Sequence, residues 1–304
     1  MGTWGAKLYS GDFAADLRDS AKAVARLPFE PDKLLDLLRA VEPEAADDPQ
    51  DADHTVFWLV VADQFAQRGI DCPRARDRAL AIIADGTDLV MMRSLGADEK
   101  LLAQRRAVLE VLRAAIAAPV AAAKPRTVLK APQKLLLEPG EVLAYPVCKG
   151  EPINPYAVGK PYAWVKAWQQ DGWGAMVVAE CGQLFEFLAW YRPLVIWEEV
   201  ENEPTLTDLQ APRVWHLRNP GTLTARHVAG LQLKPLGRVA VDATKLGQAF
   251  PHLLSPLSCA VSDISLANSL DVRPLVLDKF AQVRWGRPPS APRIEALKDV
   301  LADS

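Results

Sequence analysis

The chain has 304 residues, half of them hydrophobic, and a formal net charge of −3 at pH 7. This length predicts about two domains of roughly 150 residues, each able to fill its own core. The absence of a basic excess argues against a nucleic-acid-binding protein.

The apolar periodicity of residues 1–118 predicts an all-α domain. Ser10 or Asp12 is predicted to cap the first helix, and Asp98 the last. The acidic segment 42–53 is predicted to be a loop. The helix after it is apolar for two turns, so we expect it at the centre of the domain. The predicted helices cover about 13–26, the leucine-rich segment 34–38, and 54–68, 72–84 and 98–118.

Residues 119–134 combine small residues, prolines and basic residues, which is typical of a linker. From 135 to 304, β-branched and aromatic residues cluster between Gly and Pro, which predicts a mainly β domain, a small barrel or a curved antiparallel sheet, with a few helices. The predicted fold class is therefore α+β. A hairpin is predicted between 173–181 and 184–197, with its turn at 181–183. Shorter strands are expected at 214–219, 231–237 and 238–242, and helices within 243–271 and 291–303.

Motifs for catalysis and for metal binding are missing from the sequence. There is no nucleophile elbow and no phosphate-binding glycine loop, and the histidines stand outside any recognisable motif. The cysteines have no CxxC spacing, which predicts reduced, mostly buried thiols rather than a zinc or redox site. We therefore assign no catalytic residue, no metal ligand and no cofactor. The residues concerned are His54, His216, His227 and His252, and Cys72, Cys148, Cys181 and Cys259.

Acidic residues are the first group of candidate contact residues. The cluster at 47–53 lacks the glycine and the terminal glutamate of a calcium loop, so it is interpreted as a solvated loop whose last aspartate caps the next helix. The same carboxylates could form an acidic patch for a basic partner. The candidates for this role are Asp12, Asp16, Asp47, Asp48, Asp51 and Asp53.

Tryptophans are the second group, and six of the nine fall between residues 164 and 215. Large aromatic side chains either fill small β cores or anchor protein interfaces. Trp164 and Trp168 are four residues apart, so a short helix would place them on one face. Trp4 stands near Gly2 and Gly5, before the first helix. We take Trp4, Trp164 and Trp168 as candidate anchors.

Two stretches of the chain resemble known families. The opening MGTWG, followed by DFAAD at 12–16, resembles the DUF4259 family of small bacterial helical domains, and the likeness extends to about residue 118. Some members of that family look like immunity proteins, which neutralise toxins of the same or neighbouring bacteria. The second domain is similar to the immunity protein 26 type, through PGEVLAYP at 139–146 and the strand at 172–178. It departs from that type by a long Trp-rich insertion.

These resemblances imply a non-enzymatic binding protein that occludes a toxin, with acidic residues steering a basic partner. We expect a cytoplasmic protein with a protein partner and no nucleic acid or membrane, because the chain shows no signal peptide and no apolar run of membrane-spanning length. Two alternatives stay open: a hydrolase with its site in an inter-domain cleft, and a regulatory module that holds a peptide. A histidine beside a cysteine or carboxylate in a deep pocket would favour the hydrolase. The oligomeric state is left open.

Overall fold

The computed structural model describes residues 5–118, 126–148, 151–152, 168–251, 272 and 293–302. The chain divides into two compact units, 1–131 and 132–304. Helices build the first unit, and an antiparallel sheet with short helices builds the second, so the predicted α+β class is confirmed. Within the described residues, no helix combines the length and the apolar character needed to cross a membrane.

The helical unit is organised around its fourth helix. Buried side chains cover this helix on all sides, among them Phe57, Leu59 and Val61, and it contacts α1, α3, α5, α6 and α7. A helix that is apolar all round belongs in a core, so its predicted central position is confirmed. The helices are α1 (Asp12–Val24), α2 (Pro31–Val41), α3 (Pro43–Asp47), α4 (His54–Gln67), α5 (Pro73–Asp85), α6 (Thr87–Ser94) and α7 (Glu99–Ala117).

The N-terminal caps of these helices differ in part from the prediction. Asp98 caps α7 as predicted, because its carboxylate accepts a hydrogen bond from Leu101 N at 2.7 Å. The predicted cap of α1 is wrong, because α1 follows Gly11 and Asp12 is already inside the helix. Ser10 Oγ instead donates to the carbonyl of Gly5 at 2.7 Å, which fixes the chain before α1.

The acidic segment 42–53 was predicted to be a loop, and this is wrong in part, because the segment contains α3. Pro43 occupies the first turn of α3, where its missing N–H costs nothing, and Ala45 and Ala46 are buried. Asp53 stands at the N-cap of α4 but makes no capping hydrogen bond, so that prediction is wrong. The prediction also missed α6, which begins directly after Gly86 ends α5 in a left-handed conformation.

The second unit contains one antiparallel sheet. Its order is β2-β1-β3-β4-β5-β7, and β6 pairs with the same edge of β1 as β2, so the described strands form an open sheet rather than the barrel. The strands are β1 (Glu141–Cys148), β2 (Glu151–Pro152), β3 (Gly172–Leu184), β4 (Leu188–Ile196), β5 (Trp215–Leu217), β6 (Lys234–Arg238) and β7 (Arg293–Ile294). The helices are α8 (Leu206–Gln210), α9 (Ala225–Gly230), α10 (Ala243–Ala249) and a 3₁₀ helix (Leu297–Val300).

The hairpin of β3 and β4 is confirmed, but its turn lies further along the chain than predicted. Phe185 and Glu186 make the turn with positive φ angles of 52° and 66°. Residues 181–183 belong to β3 and pair with residues 189–191 of β4. Gly182 therefore marks no turn; it lies against the indole ring of Trp190, where a larger residue would be crowded.

Other predicted elements of the second unit are shorter than expected. The predicted strand at 238–242 is wrong, because β6 ends at Arg238 and only an isolated bridge joins Val241 to Leu301. The predicted helix within 291–303 is replaced by β7 and the 3₁₀ helix. In 243–271, α10 is observed, and residues 252–271 lie outside the described residues.

Apolar clusters cover both faces of the sheet. Val142 and Trp215 belong to one cluster, together with Phe250 after α10. Tyr145 and Tyr191 belong to the cluster on the opposite face. A sheet that is buried on both faces needs apolar residues at nearly every position, which explains the continuous apolar runs in β1 and β3.

Candidate functional site

A cavity of about 270 Å³ lies in the helical unit, where α1 and α4 begin. Its walls are largely apolar and include Leu8, Phe13, Val56, Met92 and Leu95. Asp12, Asp51 and Asp53 also line it, and we call it the acidic cavity. A concave apolar surface with a few converging polar groups is the usual form of a binding site.

A buried ion pair between α6 and α7 forms the floor of the acidic cavity. Arg105 Nε lies 2.8 Å from Asp88 Oδ2, and Nη2 lies 3.0 Å from Oδ1. The two side chains are 4% and 1% exposed, and Thr55 Oγ1 donates to Asp88 Oδ1 at 3.2 Å. Buried charges persist only when they are paired in this way. The pair is neutral overall, so the charge of the cavity depends on its other charged lining residues, Asp12, Asp51, Asp53 and Lys7.

Asp12, Asp51 and Asp53 line the acidic cavity. Asp16 and Glu42 are outside its lining, but burial and repulsion from these aspartates raise the pKa of both. We call the five carboxylates the carboxylate rim. Burial raises the pKa of Glu42, and repulsion from Asp16, Asp53 and Asp51 raises it further. Burial and then Asp51 raise the pKa of Asp53, and burial and then Asp12 raise that of Asp16. These mutual effects show that the carboxylates lie close enough to repel one another.

The carboxylate rim has no cationic partner among the described ion pairs of the chain. Lys7 lines the acidic cavity, but its side chain is exposed and its ammonium forms no ion pair with the rim in the described structure. The described residues at the start of α1 and α4 therefore carry an excess of negative charge. Such a surface attracts a cation from solution.

The structure brings together four of the six aspartates that the sequence singled out. Asp12, Asp16, Asp51 and Asp53 belong to the carboxylate rim, although Asp51 also accepts a hydrogen bond from the backbone N–H of Asp53 at 2.8 Å. The two others lie outside the rim. Asp47 accepts a hydrogen bond from Arg39 Nη2 at 2.7 Å. Asp48 accepts one from the backbone N–H of Gln50 at 2.8 Å, which shapes the turn before α4.

Of the three candidate anchoring tryptophans, only Trp168 lies within the described residues. Trp4 and Trp164 lie outside the described residues, and Trp168 is half-buried just before β3. Core packing explains Trp215, which is fully buried in the sheet. Trp173 is half-buried beneath Lys234, whose Nζ lies 4.5 Å from the ring centroid.

The described histidines are buried. Arg78 Nη2 lies 3.0 Å from His54 Nε2 and donates to it, which leaves Nδ1 to donate to the carbonyl of Ala45 at 2.8 Å. Burial lowers the pKa of His54, so this arrangement fits a neutral ring that joins α3 to α4. His216 and His227 are buried in the second unit, and His252 lies outside the described residues.

Three of the four cysteines lie within the described residues. The three described cysteines are free thiols; Cys72 is buried, whereas Cys148 and Cys181 are only half-buried, so the prediction of mostly buried thiols fails for these two. Cys259 lies outside the described residues. No described group of His, Cys, Asp and Glu residues has a metal-binding arrangement, and no described residue that lines the acidic cavity is a histidine or a cysteine.

Sequence reasoning missed three residues of this site: Glu42, Asp88 and Arg105. A signal for Arg105 was present, because it stands on the apolar face of α7, three residues after Leu102 and four before Leu109. A charged residue at such a position must find a buried partner. The partner could not be identified, because α6 itself was not predicted.

Comparison of the chain with protein-family models, with curated proteins and with solved structures gave no match. The likenesses to the DUF4259 family and to immunity protein 26 therefore stay predictions from the motifs. The acidic cavity has to be interpreted from its own chemistry.

Proposed function

We propose that the protein is a non-enzymatic binding protein of the toxin-immunity kind, and that its acidic cavity accepts a basic side chain of a protein partner. The observation that carries the proposal is a largely apolar cavity lined by Asp12, Asp51 and Asp53, which form no ion pair within the described residues. A lysine or arginine side chain has the matching form, an apolar stem that ends in a cation.

The two parts of the acidic cavity contribute differently to binding. Each methylene that leaves water contributes about 0.8 kcal/mol, so a lysine stem would contribute up to about 3 kcal/mol of affinity. The carboxylate rim adds attraction for the cation and relief of its own repulsion. It also speeds association, since long-range attraction acts mainly on the encounter rate.

An interface of standard size buries about 800 Å² on each partner, far more than a single cavity supplies. Two exposed apolar residues, Val90 on α6 and Leu95 directly after it, provide further contact area. Val90 is 62% exposed and Leu95, which also lines the cavity, is 49% exposed. Apolar residues next to a charged border are the usual composition of a protein interface. Binding there would cover a toxin's active surface by steric occlusion.

The proposal is tested with proteins encoded beside this gene. Each is co-expressed with this chain, complexes are purified, and association rate constants are measured by surface plasmon resonance. In the double variant Asp51→Asn/Asp53→Asn, the loss of two rim charges is expected to lower the association rate constant about tenfold at low salt. The double variant Asp47→Asn/Asp48→Asn makes the same change of charge in the same segment but away from the cavity, and serves as the matched control.

The wild-type protein should also restore growth of cells that produce the partner, and the rim variant should do so less well than the control. Equal association rate constants for the two double variants would show that the acidic cavity is not part of the binding surface. Failure of every neighbouring gene product to bind would contradict the immunity function itself.

A further inference from the structure

A second cavity in the helical unit lies where α1 and α4 end. Its volume is about 250 Å³, and four of the residues that line it are cationic: Lys22, Arg26, Arg68 and Arg126. None of the described lining residues is acidic. We call it the basic cavity.

The half-buried arginines of the basic cavity donate to neutral acceptors. Arg126 donates through Nη1 to the carbonyl of Ala25 at 3.2 Å and through Nη2 to the carbonyl of Phe29. Arg68 Nη1 donates to the carbonyl and the side-chain Oε1 of Gln64, at 3.0 and 2.8 Å. Burial lowers the pKa of both arginines, as expected where charge leaves water without a bonded carboxylate.

Three carbonyl groups at and after the end of α1 are already occupied. Arg126 covers those of Ala25 and Phe29, and the N–H of Leu129 donates to the carbonyl of Arg26 at 2.8 Å. Exposed carbonyls at helix C-termini would repel an anion. Since they are covered, the groups that remain to face the basic cavity are largely cationic N–H donors.

Three nearby carboxylates, Asp19, Asp63 and Glu30, neutralise the four cations of the cavity only in part. Glu30 acts electrostatically on Arg126. Asp19 lies 2.6 Å from Lys22 Nζ but is shared with Arg18 at 3.2 Å. Asp63 is close enough to act electrostatically on Arg68, yet it accepts its hydrogen bonds from Tyr9 and Gln67. The basic cavity therefore keeps an excess of positive charge.

We propose that the basic cavity binds a small oxyanion of the phosphate class, either inorganic phosphate or the phosphate group of a small monoester. Planar guanidinium groups present paired N–H donors that match phosphate oxygens. The volume accommodates such a group together with a short organic substituent. This site is separate from the acidic cavity and does not depend on the partner proposed for it.

The test is a titration of the full chain with small anions at constant ionic strength. Binding is measured by calorimetry and by changes in the NMR signals of residues 25–26, 67–68 and 126–127. The probes are inorganic phosphate, glycerol 3-phosphate and, as a carboxylate control, acetate. Saturable binding of a phosphate probe, with shifts confined to these signals, is expected. A preference between the two phosphate probes tells whether free phosphate or a monoester fits better.

Arg26→Gln is the decisive variant, because Arg26 is exposed and has no described side-chain hydrogen bond whose loss would unfold the unit. It is expected to weaken phosphate binding about tenfold, the effect of one charge-assisted hydrogen bond. Lys22→Gln tests the same cavity with a second exposed cation. Arg106→Gln on α7, outside the basic cavity, is the matched control. Non-saturable binding, or equal affinity in Arg26→Gln, Lys22→Gln and Arg106→Gln, overturns the proposal.

Discussion

The acidic and basic cavities lie at opposite ends of the same two helices, α1 and α4, and they carry opposite charge. Both helices begin at the acidic cavity and end at the basic one, so their dipoles add. Carboxylates near helix N-termini and cations near C-termini are both favoured by the dipole. The sign of each cavity thus follows from helix direction, and it is not by itself a mark of function.

The cavities differ in which of their charges are bonded within the protein. In the acidic cavity the floor pair of Asp88 and Arg105 is fully bonded, whereas the carboxylate rim has no described ion pair. In the basic cavity Arg126 is bonded to backbone carbonyls, whereas Arg26 has no described side-chain bond. Each cavity therefore has structural charges, which are bonded within the protein, and available charges, which have no described bond. Substitution of a structural charge should lower the unfolding free energy more than substitution of an available charge.

The largest effect is expected for the floor of the acidic cavity. Asp88→Ala leaves the guanidinium of Arg105 buried without its carboxylate, and removal of one partner of a buried pair costs about 3–5 kcal/mol of unfolding free energy. The measurement is the urea-induced unfolding of the helical unit, which is monitored through the NMR signals of the backbone amides of α4.

Asp77→Ala provides the same amino-acid change in an exposed pair of the same unit. Asp77 is 69% exposed and lies 3.3 Å from Arg76, so its loss should cost less than about 1 kcal/mol. Similar losses in the two variants would mean that the floor pair does not hold α6 to α7.

The contrast between floor and rim also shows what the sequence could predict. An apolar run of two helical turns was sufficient to place α4 at the centre, because a helix that is apolar on all sides is stable only inside a core. Turn chemistry was misleading at Gly182, which is small because Trp190 lies against it and not because the chain reverses there. Asp51 and Asp53 were predicted as contact residues from the dense acidic cluster, and Asp12 and Asp16 from the DFAAD motif in the acidic first domain.

That selection could not separate the rim from Asp47 and Asp48, since the difference depends on long-range geometry. Asp47 is the last residue of α3, a helix that was not predicted, and there it accepts a hydrogen bond from Arg39 of α2. The basic cavity was missed for the same reason. Lys22 and Arg26 are one helical turn apart, but Arg68 and Arg126 are distant from them in sequence. The common direction of α1 and α4 brings Arg68 to the end of α1, and the segment after α7 brings Arg126 there.

A smaller effect is expected at the basic cavity. Arg126→Ala removes two hydrogen bonds that tie the segment after α7 to the end of α1, at a cost of about 1–2 kcal/mol. Arg26→Ala, in the same cavity, should stay within about 0.5 kcal/mol, because no described hydrogen bond of its side chain is lost. Thermal unfolding of the two variants checks the difference, and a larger loss for Arg26→Ala would reverse the assignment of structural and available charge.

The smallest effect concerns the carboxylate rim and has the opposite sign. Burial and then repulsion from Asp16, Asp53 and Asp51 raise the pKa of Glu42, so the folded protein holds this proton more tightly than the unfolded chain. Ionised Glu42 therefore lowers stability at neutral pH, and the penalty disappears as the pH falls through the folded-state pKa toward the unfolded value of about 4.3. Glu42→Gln should raise the unfolding free energy at pH 7 by about 0.5 kcal/mol, and the gain should shrink toward pH 4. Urea unfolding at several pH values measures this trend, with exposed Glu44→Gln as the control in the same segment. A gain that does not decrease on acidification, or that Glu44→Gln reproduces, would show that burial and the neighbouring carboxylates do not raise the pKa of Glu42.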